Sequence, residues 1–449
     1  MSASVTRCLV VLLTVGALAA APAQAAPPWS DPVVAPGSRS DPALVFSPDG
    51  RALITELGPG GYGRRYPGTS GATLDPGGAV GPFRVLARNF DAGSYTGRIA
   101  IDRAGRVSAF GEGGTRSGIR LMGAEGSTGG PLARRRDIGL GEPTAGIAAD
   151  ANARGDHAVL FQVSGSSRSL RRRSIYLVVR RAGRGFSRPV RIARGPDVAA
   201  LDVAVGDGGD VAAAWARDAV AVRRYSATGR LGRVQPAADD PNAQTIRAAV
   251  APAGQVLVSW SAEAPGPPDA GFVRRNPFAE DGPFAIRAAL APPGGGFGPV
   301  RTLGASDGAT VLAEPLGDDR FTLAHEGLED ERPVVRVADG GTEGEVVQQT
   351  VSTPGAIAWL SDLATGPRGE TAVIWRAEGV EGPETGRGEV MAAVRAPGSS
   401  SFSLPESVTQ GPESGTSDLA INPVDGRVVV AVGGGPTPTQ VFTRPPITP

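Results

Sequence analysis

The sequence predicts an all-β chain folded as a β-propeller of eight four-stranded blades, its ring closed by the N-terminal strand pairing with the last blade. Three observations predict it. A strand–turn–strand phrase returns eight times, a large ring recurs at one slot of that phrase, and the phrase that ends other repeats also stands alone near the N-terminus.

The repeated phrase is a short apolar segment, a turn with Gly or Asp, then five or six mostly apolar residues. Its copies run from ALVFSPDGRALITE through LDVAVGDGGDVAAAW, IRAAVAPAGQVLVSW and LSDLATGPRGETAVIW to SDLAINPVDGRVVVAV. The turn anchors are Gly50, Gly105, Gly155, Gly209, Gly254, Asp319, Gly369 and Gly426. Seven steps from first to last give a period of about 54 residues, in the range of repeat architectures. Asp-Gly and related pairs accept positive φ and suit tight hairpins.

Six residues past each anchor stand Glu56, Gly111, Phe161, Trp215, Trp260, His325, Trp375 and Val432. Three of the five tryptophans share this slot, where a large ring packs between neighbouring sheets. Third strands follow as IYLVVRR, AVAVRRY, FAIRAALA, PVVRVA and VMAAVRA, rich in Val and partly alternating. The fourth is the aromatic and proline phrase of FSRPVRIA, GFGPVRTL and SFSLPESV, where Pro is tolerated because an outermost strand has one free edge. Four strands per repeat make a propeller blade.

The last repeat runs out of chain after three strands, and PWSDPVVA at 28–35 supplies the fourth. This pairing removes an open edge and ties the termini together. Seven blades is the alternative if the divergent sixth repeat, around Asp319, is not a blade of its own.

Composition agrees. Gly (65) and Pro (40) are abundant, as many short strands and turns require. Arg7, the apolar run Leu9 to Ala21 and Ala23-Gln24-Ala25 read as an export signal cleaved after residue 25, leaving 26–449 as a single propeller domain. The expected location is extracellular. No later segment reaches the roughly 18 apolar residues of a membrane span. Cys8, the one cysteine, falls inside the signal, so no disulfide and no lipid anchor are expected. Formal charge is zero, with 45 basic residues, all Arg, against 45 acidic, which gives no field favouring nucleic acid. No cofactor is expected, and the chain is expected to be a monomer.

FSPDGRALI and NPVDGRVVVAV resemble the repeats of TolB-type and WD-repeat-like propellers of bacterial envelope proteins. The later copies, such as APAGQVLVSW, are similar to secreted actinobacterial propellers of sialidase-like type. The resemblance covers nearly the whole mature chain and implies a scaffold. Loose SPDGR and PVDGR turns stand where a sialidase would carry repeated Asp-boxes, and neither an arginine triad nor a Tyr and Glu pair is assignable. Fold alone does not carry chemistry.

Candidate sites fall on the face opposite the glycine turns, where the longer loops lie: 163–173, 262–283 and 377–388. WARD, WSAE and WRAE place Asp218, Glu263 and Glu378 three residues past the recurring Trp. Two such carboxylates about 5–9.5 Å apart would suit glycoside hydrolysis; inherited polar strand ends are the plainer account. His157 and His325 occupy strand positions that suit packing. GDGGD, with Asp207 and Asp210, lacks the ligands of a calcium loop, and GPGGYG at 58–63 lacks a phosphate-loop setting; no metal is expected. Residues 168–194 hold ten arginines and no acid, whereas 326–345 hold seven acids and two arginines. Arg171, Arg172 and Arg173 sit in a loop, and Arg188, Arg191 and Arg194 in an outer strand. Guanidinium forks engage phosphate and carboxylate, which points to an anionic envelope polymer or an acidic protein partner; a solvated edge that blocks strand pairing is the alternative. The sequence therefore favours a non-catalytic binding platform, with a glycan-acting hydrolase or lyase as the alternative.

Overall fold

A computed structural model describes residues 29–446 except 36–41, 58–67, 89, 92–98, 116–117, 134, 141–143, 164–173, 196–197, 264–283, 307, 331, 342–345, 379–387, 410–414 and 435–436. The proposed export signal and Arg171, Arg172 and Arg173 lie outside the described residues. Within them every regular element is a strand, and the strands form eight antiparallel sheets in a ring.

The blade of residues 200–238 shows the pattern. Its strands Ala200–Val205, Val211–Ala216, Val220–Tyr225 and Leu231–Ala238 pair in that order, and Val205 faces Val211 across the Gly209 turn. The innermost strands of successive blades touch their neighbours in an unbroken circuit. The divergent sixth repeat is a full blade: Val311–Leu316, Arg320–Glu329, Arg332–Gly341 and Val347–Thr350. Eight blades, not seven, complete the ring.

Closure takes the expected form. Val33 and Val34 pair antiparallel with Val441 and Gln440. Ser30 N–H donates to the Thr443 carbonyl at 2.8 Å and Ala35 N–H to Thr439 at 2.9 Å, so the pairing extends past the two strand residues. Trp29 packs on the cluster between the seventh and eighth blades.

The second blade departs from the four-strand pattern. Its inner strand Ile99–Ile101 pairs with Val107–Ala109 of Arg106–Thr115. Phe90–Asp91 pairs with the same strand further along, Phe90 opposite Gly113 and Asp91 opposite Glu112, so among the described residues the sheet has five strands.

The core is divided between the blades. Among the described residues eight hydrophobic clusters each join one pair of neighbouring blades, so every interface in the ring has one. Trp260 lies in the cluster between blades four and five, Trp375 between six and seven, Trp215 between three and four, and Phe161 between two and three. The recurring slot therefore faces the preceding blade. Middle strands such as VLVSW are apolar on both sides because both sides are covered.

Candidate functional site

Two regions of the ring bring together side chains that can do chemistry: the inner strands and the rim between blades three and four.

At the centre, charged residues interrupt strands that are otherwise apolar or small. Asp202, Arg247, Asp362 and Asp418 all lie three residues before the last paired residue of their inner strands. Asp150 and Glu314 lie one and two before. These carboxylates bind the next blade. Asp202 accepts Ala248 N–H at 2.8 Å, Asp362 accepts Leu419 N–H at 2.8 Å and Asp418 accepts Leu44 N–H at 2.5 Å. Asp150 accepts Val205 N–H at 2.7 Å. At these four of the eight blade junctions a carboxylate oxygen thus satisfies an inner-strand donor that lacks a strand partner on that side.

The cost is charge drawn away from bulk water: Asp418 is buried, and Asp150, Asp202, Glu314 and Asp362 are half-buried. Burial pushes Asp150 up to about 7, against two accepted backbone bonds and with the Asp202 and Asp207 charges adding to it. Asp202 is raised by burial, with Arg247 pulling the other way. Glu314 is raised well above the ordinary range by burial and then by the charges of Asp150, Asp362 and Asp202 on the inner strands of three other blades. Burial raises Asp362 to about 6, while Asp418 is raised well above its usual value by burial and by the Asp362 charge. Backbone N–H groups oppose the rise at both, Leu363 and Leu419 donating to Asp362 and Leu44 to Asp418. Among the described residues no group of three or more His, Cys, Asp or Glu has metal-binding geometry.

The second region is basic. Arg188, Arg191 and Arg194 are exposed along the outer part of blade three. A crevice of about 450 Å³ opens between this strand and blade four, lined by Arg191, Ile192, Ala193, Arg194, Trp215, Arg223 and Val234. Arg223 spans it: Nη1 donates to the Ile192 carbonyl at 2.7 Å and Nε to the Gly232 carbonyl at 2.8 Å. Not all of the arginine run faces solvent. Arg180 is buried against Glu125 at 3.2 Å, and Arg181 donates to the Gly209 and Ser226 carbonyls, so both tie blade three to its neighbours. In the acidic run, Glu326 is likewise buried and accepts Leu360 N–H from the next blade at 3.1 Å.

The three loop-face carboxylates stay at the outlets of their second strands, in blades four, five and seven. Asp218 is exposed and pairs with Arg217 at 3.1 Å. Glu263 accepts from Gln244 at 2.9 Å, and Glu378 ends its strand opposite Ile357. Among the described residues no hydrogen bond joins any two of them. Both histidines are buried in packing roles. His157 contacts Ser108 at 3.1 Å and the Phe110 ring at 4.2 Å. His325 donates from Nδ1 to the Glu326 carbonyl at 2.7 Å and accepts at Nε2 from Gln348 at 2.8 Å; burial lowers it to about 4, a neutral ring.

The axial carboxylates escaped the sequence reading, although their signal was present. LDVAV, IRAAV, LSDLAT and SDLAI carry a charged residue at one place in inner strands that are otherwise almost entirely apolar.

Compared by sequence, the chain matches no family model and no curated protein. Compared by structure, it is similar to a Mycobacterium tuberculosis puromycin-hydrolyzing peptidase at 15% identity and TM-score 0.42, covering 78% of this chain and 51% of that one. The chain thus spans about half the length of that peptidase. A PL25 ulvan lyase bound to a GlcA and Rha3S saccharide is similar at 13% identity and TM-score 0.48, over 92% of this chain and 96% of the lyase. A Hadza microbial sialidase is similar at 10% identity and TM-score 0.40, over 85% and 74%. Likeness at this level accompanies the propeller fold and carries no activity to this chain.

Proposed function

We propose that this chain is exported by its N-terminal leader and works outside the cell as a single-domain, non-catalytic propeller that binds an anionic polymer of the cell envelope at its rim. The observation that carries the reading is the row Arg188, Arg191 and Arg194, exposed on one edge of blade three. Among the described residues none of the three has a carboxylate partner. A surface that neutralises its own cations elsewhere, as at Arg120–Asp137 and Arg427–Asp425, leaves these open. Guanidiniums at such spacing suit a ligand with repeated negative charge. A glycan-acting reading would need two of Asp218, Glu263 and Glu378 on one sugar, and their contacts hold them to their own strands and turns.

The test is binding to immobilised heparin and teichoic acid with the full mature chain. Arg188→Ala together with Arg191→Ala is expected to weaken retention and to flatten its dependence on salt, because each lost cation removes one counterion-sensitive contact. Retention unchanged in the double variant would reject the rim as the contact.

A further inference from the structure

We infer that the cavity between the outer parts of blades five and six is a binding site for a single-ring aromatic acid, its ring beside Gly340 and its carboxylate at Arg301. Leu257, Leu290 and Leu303 of blade five and Phe321, Leu323 and Val346 of blade six line it.

The sheet register accounts for the space. In three other blades a phenylalanine of the outer phrase packs toward the preceding blade: Phe186 in the cluster between blades two and three, Phe402 between six and seven, and Phe297 against the one between four and five. Each stands just before a residue whose N–H donates to the third strand, Ser187 to Val179, Gly298 to Leu290 and Ser403 to Val394. Those acceptors lie three residues past Tyr176, Arg287 and Met391, which face the recurring slot residues Phe161, Trp260 and Trp375. The same count in blade six runs from His325 through Arg336 to Asp339, which pairs with Val347. Val346 therefore holds the phenylalanine position. Beside it Gly340 stands where the other three blades carry Arg180, Ala291 and Arg395, and a Cβ added at Gly340 would lie 3.3 Å from the Val346 Cγ2. A valine beside a glycine leaves open what a phenyl ring fills elsewhere. Phe321, paired opposite Gly340, supplies an aromatic wall for edge-to-face or offset contact.

The volume is about 80 Å³, against roughly 150 Å³ in an engineered apolar cavity that encloses benzene. Enclosure is incomplete here, because Gly298 and Pro299 at the outer end are exposed, and a ring enters with its substituent left at the surface. Arg301 is the one charged residue of the lining. It pairs opposite Ala288, which belongs to the cluster between blades five and six, so its side chain leaves the sheet on the cavity side. Among the described residues its guanidinium makes no ion pair or hydrogen bond. An apolar seat with one cation at the mouth is complementary to a ring that carries one negative charge.

Hydrocinnamate, its neutral analogue hydrocinnamyl alcohol and propionate, each titrated against the full mature chain by calorimetry, separate the ring from the charge. Hydrocinnamate is expected to bind at least about tenfold more tightly than either, since each of the others lacks one of the two contacts. Arg301→Gln should bring hydrocinnamate down to the level of the alcohol. Val346→Phe, which gives blade six the ring that its neighbours carry, should weaken hydrocinnamate at least about tenfold and raise the melting temperature, because it fills the void from within. The native titrations and Arg301→Gln, a change outside the core, decide the matter even where Val346→Phe fails to fold. Propionate binding as tightly as hydrocinnamate overturns the ring seat, and the alcohol binding as tightly overturns the role of Arg301. Unchanged affinity in Val346→Phe overturns the cavity as the site, and binding of none of the three probes at millimolar concentration reduces it to a packing gap and overturns the assignment.

Discussion

Asp418 of the last blade accepts the backbone N–H of Leu44 in the first at 2.5 Å, so the ring is closed at its hub as well as at its rim, where Val33 pairs with Val441. Burial and the Asp362 charge raise Asp418 well above its usual value and so favour its neutral form. Asn is a neutral isostere of that form, and its Oδ1 can accept from Leu44. Asp418→Asn is therefore expected to melt within about a degree or two of the native protein at neutral pH. Asp418→Ala strands a buried donor and should cost roughly 1–3 kcal/mol. Thermal melts of both variants check this; equal losses would mean that the carboxyl is not the clasp.

The same hub sets the response to alkali. Asp150 rises from 3.8 to about 7 on folding and Asp362 to about 6, with Asp202, Glu314 and Asp418 shifted in the same direction. A raised folded value means that the native state binds more protons, so this contribution is complete below about 3.8 and is lost as pH rises through 6 and 7. Stability should fall from about pH 4 to about pH 7. Asp150→Asn should flatten that fall, whereas Arg247→Met, which removes the cation opposing the rise at Asp202 and Asp362, should carry it to higher pH. Urea midpoints across this range are the measurement, and a flat native profile would contradict the assignment.

The architecture was legible because its signals are local. Hairpin glycines, a two-residue alternation and the Pro phrase each act within a dozen residues, and the detached copy at Trp29–Val34 named its own partner by default. The fifth strand of the second blade was not legible, since Phe90–Asp91 is only two residues long and carries no turn or alternation signal of its own. Nor was the hub. A lone Asp in an inner strand reads as a residue turned to solvent, and only closing the ring shows that Asp150, Asp202, Glu314 and Asp362 face one another. The packing between blades three and four has the same origin: Ile192 and Trp215 share one cluster because an outer strand lies beside the second strand of the next repeat, a relation no period in the sequence displays.

The turn glycines separate strain from contact. Gly155 has φ of 84°, and a Cβ placed there would lie 2.5 Å from the Asp102 Cβ of the preceding blade. Asp102 cannot retreat, because its Oδ1 accepts Ala104 and Arg106 N–H groups and its Oδ2 meets Arg106 Nε at 2.8 Å. Gly254 has nearly the same φ, 89°, yet its added Cβ would meet only Pro293 at 3.8 Å. Gly254→Ala should therefore cost the dihedral penalty alone, about 1–2 kcal/mol. Gly155→Ala adds a clash across a blade interface, a further 1–3 kcal/mol or so. Denaturant unfolding of the two variants compares them directly. Equal losses would mean that the interface at Asp102 yields, and that the glycine recurs in these turns for its backbone conformation and not for the close approach of neighbouring blades.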